Sequence, residues 1–181
     1  MEDMDLRAAL IAIHRAFEER AVEHALIGGL ALSAHGAGRA TVDLDWIADG
    51  FKSRDVDDVL RLQGYEAVLR NDNVGNYVSR DPIKGRVDVL FVRREKGVAI
   101  LRRASGQPVL GETVPVVDAS DLIGLKVQAY ANNPLRRHRE LADIERLLQF
   151  GAVDAERVRS YFRMFECESD LDQLLAGLRK P

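Results

Sequence analysis

The spacing of apolar residues changes period along this chain, and the changes mark its elements. Leu6, Leu10, Ile13 and Phe17 recur every three to four residues with charges between them, which predicts an amphipathic helix from about Asp5 to about Val22. His24-Ala25-Leu26-Ile27 is a short apolar strand, broken by Gly28-Gly29, and Leu30 to His35 reads as a brief helix ended by Gly36 and Gly38. Thr41 to Ala48 then alternates, with Val42, Leu44 and Trp46 on one face and Thr41, Asp43 and Asp45 on the other. Ser53 is placed to cap a helix through Val56, Val59, Leu60 and Leu62 that closes at Gly64. Tyr65 to Leu69 and Asn76 to Ser79 predict a hairpin around Asn71 to Gly75, and Asp81-Pro82-Ile83-Lys84-Gly85 makes the next turn. Arg86 to Val92 is the clearest strand, while Thr113 to Val117, interrupted by Pro115, predicts an edge strand.

Beyond that point the period is helical throughout. Ser120 or Asp118 caps a helix through Leu122, Ile123, Leu125 and Val127, which Asn132-Asn133-Pro134 ends. Leu141, Ile144, Leu147 and Leu148 mark a second helix up to Gly151, Asp154 caps a third, and Ser169 with Asp172 resembles a capping box before the last. The pattern predicts an α+β chain: a mixed sheet with helices over 1–118, and a helical C-terminal part over 119–181 packed on it as one compact unit.

Composition narrows the setting. A chain of 181 residues with 46% hydrophobic and 30% charged residues has the make-up of a globular domain. The formal charge of −3 excludes an overall basic footprint for nucleic acid, though not a local patch such as Arg136-Arg137-His138-Arg139. Cys167 is the only cysteine, so no internal disulfide forms, and a reducing cytoplasm is the expected compartment. The acidic start, Met1-Glu2-Asp3-Met4-Asp5, lacks the basic region of a signal peptide, and no apolar run approaches the roughly 18–20 residues a membrane span needs, so no membrane partner is expected.

Three acidic residues in apolar, strand-like runs require a reason. Asp43 and Asp45, at positions i and i+2 of a strand, point the same way with their backbones roughly 6.6–7 Å apart. Such a pair can converge on one hard cation or bridge two, and magnesium suits all-oxygen ligands shared with substrate phosphates. Asp88, in Arg86-Val87-Asp88-Val89-Leu90, supplies a third carboxylate if its strand lies alongside, either as a ligand or as a proton acceptor. Upstream, Gly28-Gly29 follows a strand and starts a helix, so its bare N–H groups suit a phosphate. Taken singly, each feature has a plain reading: a solvent-facing edge strand, a tight turn, a solvated lysine at Lys126, or a carboxylate at Asp143 balancing Arg139 or Arg146.

Ile27-Gly28-Gly29-Leu30-Ala31-Leu32-Ser33-Ala34-His35-Gly36 followed by Arg39-Ala40-Thr41-Val42-Asp43-Leu44-Asp45 resembles the DNA-polymerase-beta-like nucleotidyltransferase superfamily. Its minimal AbiEii-like group, known largely as toxins of toxin–antitoxin and abortive-infection systems, is the most similar in appearance. The resemblance continues through Arg86-Val87-Asp88-Val89-Leu90, Asp121-Leu122-Ile123-Gly124-Leu125-Lys126 and Arg139-Glu140-Leu141-Ala142-Asp143-Ile144, covering about residues 20 to 150. It implies a small mixed sheet flanked by helices with a helical C-terminal part. Asp43, Asp45 and Asp88 would be the catalytic carboxylates and bind two magnesium ions. Gly28 and Gly29 would meet the triphosphate and Lys126 its phosphates, Arg39 and Thr41 would help place the nucleotide, and Asp143 would hold the second polar position of the helical part. Many members carry Gly-Ser in place of Gly28-Gly29, and a Lys-Asp pair where this chain has Arg139-Glu140.

The implied activity moves a nucleoside monophosphate from an NTP to an acceptor hydroxyl with release of pyrophosphate. The acceptor would be an RNA such as tRNA, a protein or a small molecule, and a toxin role would bring an antitoxin partner. The alternative is a non-catalytic nucleotide- or partner-binding protein that retains the fold.

Overall fold

In the computed structural model, residues 6–81 and 84–178 are described. The acidic segment over 1–5, including the expected helix start at Asp5, and the centre of the expected turn at 82–83 lie outside them. The chain divides into two compact units: residues 1–34 with 39–117, and residues 35–38 with 118–181.

The first unit begins with α1 (Leu6–Glu19), which buries Leu10, Ile13 and Phe17 completely, as its apolar spacing requires. There follow β1 (His24–Leu26), α2 (Gly28–Ala34), β2 (Asp43–Asp49), α3 (Ser53–Leu62), β3 (Tyr65–Arg70), β4 (Val74–Ser79), β5 (Arg86–Val92), α4 (Glu95–Arg103), β6 (Ser105–Val109) and β7 (Glu112–Val116). The seven strands form one mixed sheet in the order β3-β4-β5-β2-β1-β7-β6. β2 runs parallel to β5, and β1 parallel to β7; the remaining pairs are antiparallel.

Strand alternation separates two faces. Leu44, Trp46 and Ala48 of β2 and Val87, Val89 and Phe91 of β5 are buried on one face. The aromatic rings of Phe17 and His24 meet Trp46 edge-on there, at centroid distances of 5.9 and 5.4 Å. His24 is held between two hydrogen bonds: its Nδ1 donates to the Val22 carbonyl (2.7 Å), and its Nε2 lies 2.8 Å from His14 Nδ1. The first bond fixes the tautomer, leaving Nε2 to accept from His14. Burial lowers the His24 pKa to about 4. Asp43, Asp45 and Asp88 belong to the opposite, half-buried face.

Several sequence expectations are corrected. α2 starts at Gly28, two residues earlier than expected, so the glycine pair forms the first turn of the helix itself. β2 starts at Asp43, which leaves Thr41 before the strand. α3 has Lys52 at its N-cap without a side-chain bond, because the chain arrives through a 3-10 turn (Gly50–Lys52) that Asp49 caps by accepting from the Phe51 N–H at 2.9 Å. α4 and β6 were not expected. β6 takes the sheet edge and moves β7 inside, so Pro115 is not on an edge strand. The two-residue turn at Leu110-Gly111, both with positive φ, closes the β6–β7 hairpin. Counting alternate pairs from that turn puts Pro115 at a position that exchanges no bonds with Gly106, and β1 pairs with β7 only at Val116, so the missing N–H leaves no gap in either ladder.

The second unit is helical: α5 (Ala119–Asn132), α6 (Arg137–Phe150), α7 (Ala155–Met164) and α8 (Glu168–Leu178). Of the two candidates for α5, Asp118 is the cap and Ser120 lies inside the helix; Asp154 caps α7 as expected. α8 begins at Glu168, so Ser169 lies inside its first turn and the expected capping box is absent. α6 and α7 both pack on α5, where Tyr161 Oη donates to the fully buried Asp121 at 2.7 Å.

Candidate active site

Parallel pairing of β2 with β5 sets Asp45 directly beside Asp88, and Asp43 beside Arg86. Neighbouring strands lie about 4.8 Å apart, so Asp45 and Asp88 share one face as immediate neighbours, with Asp43 two residues along. Like charges directly opposite on adjacent strands repel, and an apolar pair would serve the sheet better.

The glycine turn closes on this group. Ile27 N–H donates to the Asp45 carbonyl at 2.9 Å, drawing the end of β1 against β2. Gly28 has φ +66°, and a Cβ placed on it would stand 1.9 Å from Asp45 Oδ2. A Cβ on Gly29 would stand 2.5 Å from Thr41 Cβ. Both glycines are therefore required by close approach, Gly28 also by its left-handed backbone. Thr41 Oγ1 donates to the Asp43 carbonyl over a long 3.4 Å, and Arg39 Nη1 to the Ala40 carbonyl at 3.3 Å. The structure thus brings together Gly28, Gly29, Thr41, Asp43, Asp45 and Asp88 within the first unit.

One neighbour escaped the sequence reading. Asn76, on β4, is paired with Asp88, and its Nδ2 donates to Asp88 Oδ1 at 2.7 Å. The signal was an amide between Val74 and Val78 on one face of a strand, legible only once β4 is known to lie beside β5.

The donor set fits a hard cation in chemistry, since all three groups are carboxylates carried on adjacent strands. Their side chains do not converge as they stand. Asp88 bonds Asn76 through Oδ1, Asp45 lies over Gly28, and among the described residues no group of three or more His, Cys, Asp or Glu is arranged to hold a metal ion.

Lys126 and Asp143 belong to the second unit. Lys126 Nζ lies 2.6 Å from Asp143 Oδ2 and 2.9 Å from Glu140 Oε2, while Arg136 binds the other Glu140 oxygen at 2.6 Å. Lys126, Glu140 and Asp143 are all buried. A phosphate contact would require the ammonium to leave one of two buried carboxylates, so the cluster acts first as the tie between α5 and α6. Of the expected basic patch at the start of α6, Arg136 and Arg137 are paired with Glu140 and Asp170.

No family model matches the chain, and no curated protein matches it in sequence. Solved structures do match in shape. The solution structure of the antibiotic-resistance factor ANT(2'')-Ia superposes with a TM-score of 0.68 at 12% identity, over 95% of this chain and 97% of that one. The crystal structure of ANT(2'')-Ia in complex with adenylyl-2''-tobramycin gives 0.65 at 15% identity, over 90% and 97%. The chain has the nucleotidyltransferase fold. The lincomycin-bound lincosamide antibiotic adenylyltransferase LnuA matches at 0.55 with 16% identity, over 79% of this chain and 96% of that one. The likeness is one of fold, and the fold does not single out the AbiEii-like group.

Proposed function

We propose that this chain is a magnesium-dependent nucleotidyltransferase that moves a nucleoside monophosphate from an NTP to the hydroxyl of a small molecule, releasing pyrophosphate. The observation that carries the reading is the pairing of Asp45 with Asp88 beside the Gly28 turn. That adjacency disfavours the sheet and makes sense as a device for handling charge.

In this reading Asp43, Asp45 and Asp88 hold divalent metal, which when bound lowers the acceptor oxygen's pKa and offsets charge on the departing pyrophosphate. Gly28 and Gly29 present backbone N–H groups to the triphosphate. Asp88, the carboxylate contributed by β5, receives the acceptor's proton. Arg39 and Thr41 help orient the nucleotide. Catalysis of this kind is mainly positioning and charge stabilisation, which a rigid sheet face provides. Lys126 and Asp143 contribute by fixing the helical unit.

A small acceptor is favoured over RNA on two grounds. The fold neighbours include a lincosamide antibiotic adenylyltransferase and a resistance factor in complex with adenylyl-2''-tobramycin. The chain is acidic overall, and two of the arginines that would meet an RNA backbone are paired internally. A toxin role with an antitoxin partner rests on the resemblance in sequence alone.

The test is incubation with labelled NTPs, magnesium and separate panels of hydroxyl-bearing antibiotics, tRNA and protein. Label transfer that disappears in Asp45→Ala supports the proposal. Nucleotide binding with no transfer to any panel instead indicates a binding protein that keeps the fold.

A further inference from the structure

A neighbouring strand supplies Asp88 with an amide donor. β4 runs antiparallel to β5, with Asn76 opposite Asp88, and the amide nitrogen lies 2.7 Å from Asp88 Oδ1. The donor assignment follows from chemistry, because the reversed amide would set a carbonyl oxygen against a carboxylate oxygen. Asparagine is disfavoured in strands, and an apolar residue between Val74 and Val78 would suit this one better. Sheet stability does not account for it.

We propose that Asn76 is a positioning residue for the transfer reaction, holding Asp88 through Oδ1 and leaving Oδ2 for the metal or the acceptor hydroxyl that would bind beside it. The inference rests on the transferase reading above. Repulsion from Asp45 would otherwise leave the Asp88 side chain without a fixed rotamer. A lysine or arginine at position 76 would hold the carboxylate equally well but would neutralise it and compete with the cation. An aspartate would add a third like charge. A neutral donor fixes the rotamer and leaves the negative charge available, which is the requirement for preorganised catalysis.

The experiment compares Asn76→Ala, Asn76→Asp and Asp88→Ala in the full chain. Loss of such a supporting partner lowers activity about 10- to 100-fold. In Asn76→Ala the loss is expected in kcat, with KM for the NTP within about twofold of wild type. Asn76→Asp has the same shape but donates only when protonated. It should therefore lose at least as much kcat as Asn76→Ala, since it sets a like charge beside Asp88 in place of a donor. An Asn76→Ala kcat within about twofold of wild type while Asp88→Ala is inactive overturns the inference and leaves the transferase reading intact. Complete loss of transfer in wild type overturns that reading instead. Asn76 is then judged by NMR: its side-chain amide protons should shift on adding magnesium, and should not in Asp88→Ala. No shift in the wild type overturns the inference.

Discussion

Gly28 and Asp45 occupy space that leaves no room for a side chain at position 28, since a Cβ there would sit 1.9 Å from the carboxylate oxygen. The turn that offers its backbone to a phosphate is thus sterically coupled to an acidic residue on β2. Gly28→Ala should strain the left-handed backbone by about 1–2 kcal/mol and push the Asp45 carboxylate aside. We expect a lowered thermal midpoint and at least about a 100-fold loss of transfer. Wild-type turnover in this variant would show that the contact has no bearing on the reaction.

The adjacent carboxylates make a prediction of opposite sign for stability. Asp88→Asn removes one of two like charges facing each other across β2 and β5, while Asn76 can still donate to the new amide oxygen. Without divalent cation the variant should be more stable by roughly 0.2–1 kcal/mol, a few degrees at most. Magnesium should raise the midpoint of wild type and leave that of the variant unchanged. Differential scanning fluorimetry with and without magnesium decides it; equal magnesium responses would remove Asp88 from the metal site.

Lys126 separates a structural role from a substrate role. Lys126→Met would leave Glu140 and Asp143 buried with their shared cation gone, a loss of about 3–5 kcal/mol. Chemical denaturation should therefore show the helical unit failing first. A variant of wild-type stability with only a raised KM for NTP would instead make Lys126 a phosphate ligand.

His24 predicts acid lability. Its pKa is lowered to about 4 in the fold, chiefly by burial, against an ordinary value of 6.5. The folded state therefore resists the proton that the unfolded chain accepts. The full stability is present above pH 6.5 and is lost as pH falls through about 4, up to about 3 kcal/mol in all. The His14 ring and Glu18, the other titratable groups acting on His24, oppose each other, so burial sets the sign. Urea midpoints measured across this window should fall more steeply for wild type than for His24→Asn. Parallel slopes would locate the acid sensitivity elsewhere.

Local pattern made much of the fold legible. Arg86–Val92 has the bounds its alternation predicts, and Asp118 and Asp154 cap the helices they precede. Apolar alternation also put Asp43 and Asp45 on one face. What was missed depended on partners distant in sequence. α4 is charged and short, with only Ile100 and Leu101 buried, and β6, Ser-Gly-Gln-Pro-Val, has almost no strand character until β7 folds onto it. Thr41 appeared to continue the β2 alternation, yet the strand begins at Asp43 and Thr41 lies beside Gly29, a neighbour twelve residues back in the chain. Asn76 looked like part of a hairpin, because register alone brings it to Asp88. Lys126 read as a phosphate contact through the resemblance and as a solvated cation on its own, because neither reading could see the two carboxylates that α6 brings to it.

The strand order has one more implication. β5 and β2 are third and fourth in a sheet of seven, with two strands beyond them on one side and three on the other. Fraying that starts at β3 or β6 must undo whole ladders before it reaches either acid-bearing strand. Backbone amides around residues 45 and 88 should accordingly be among the last of this unit to exchange with deuterated solvent, so the site keeps its alignment while the margins of the sheet breathe.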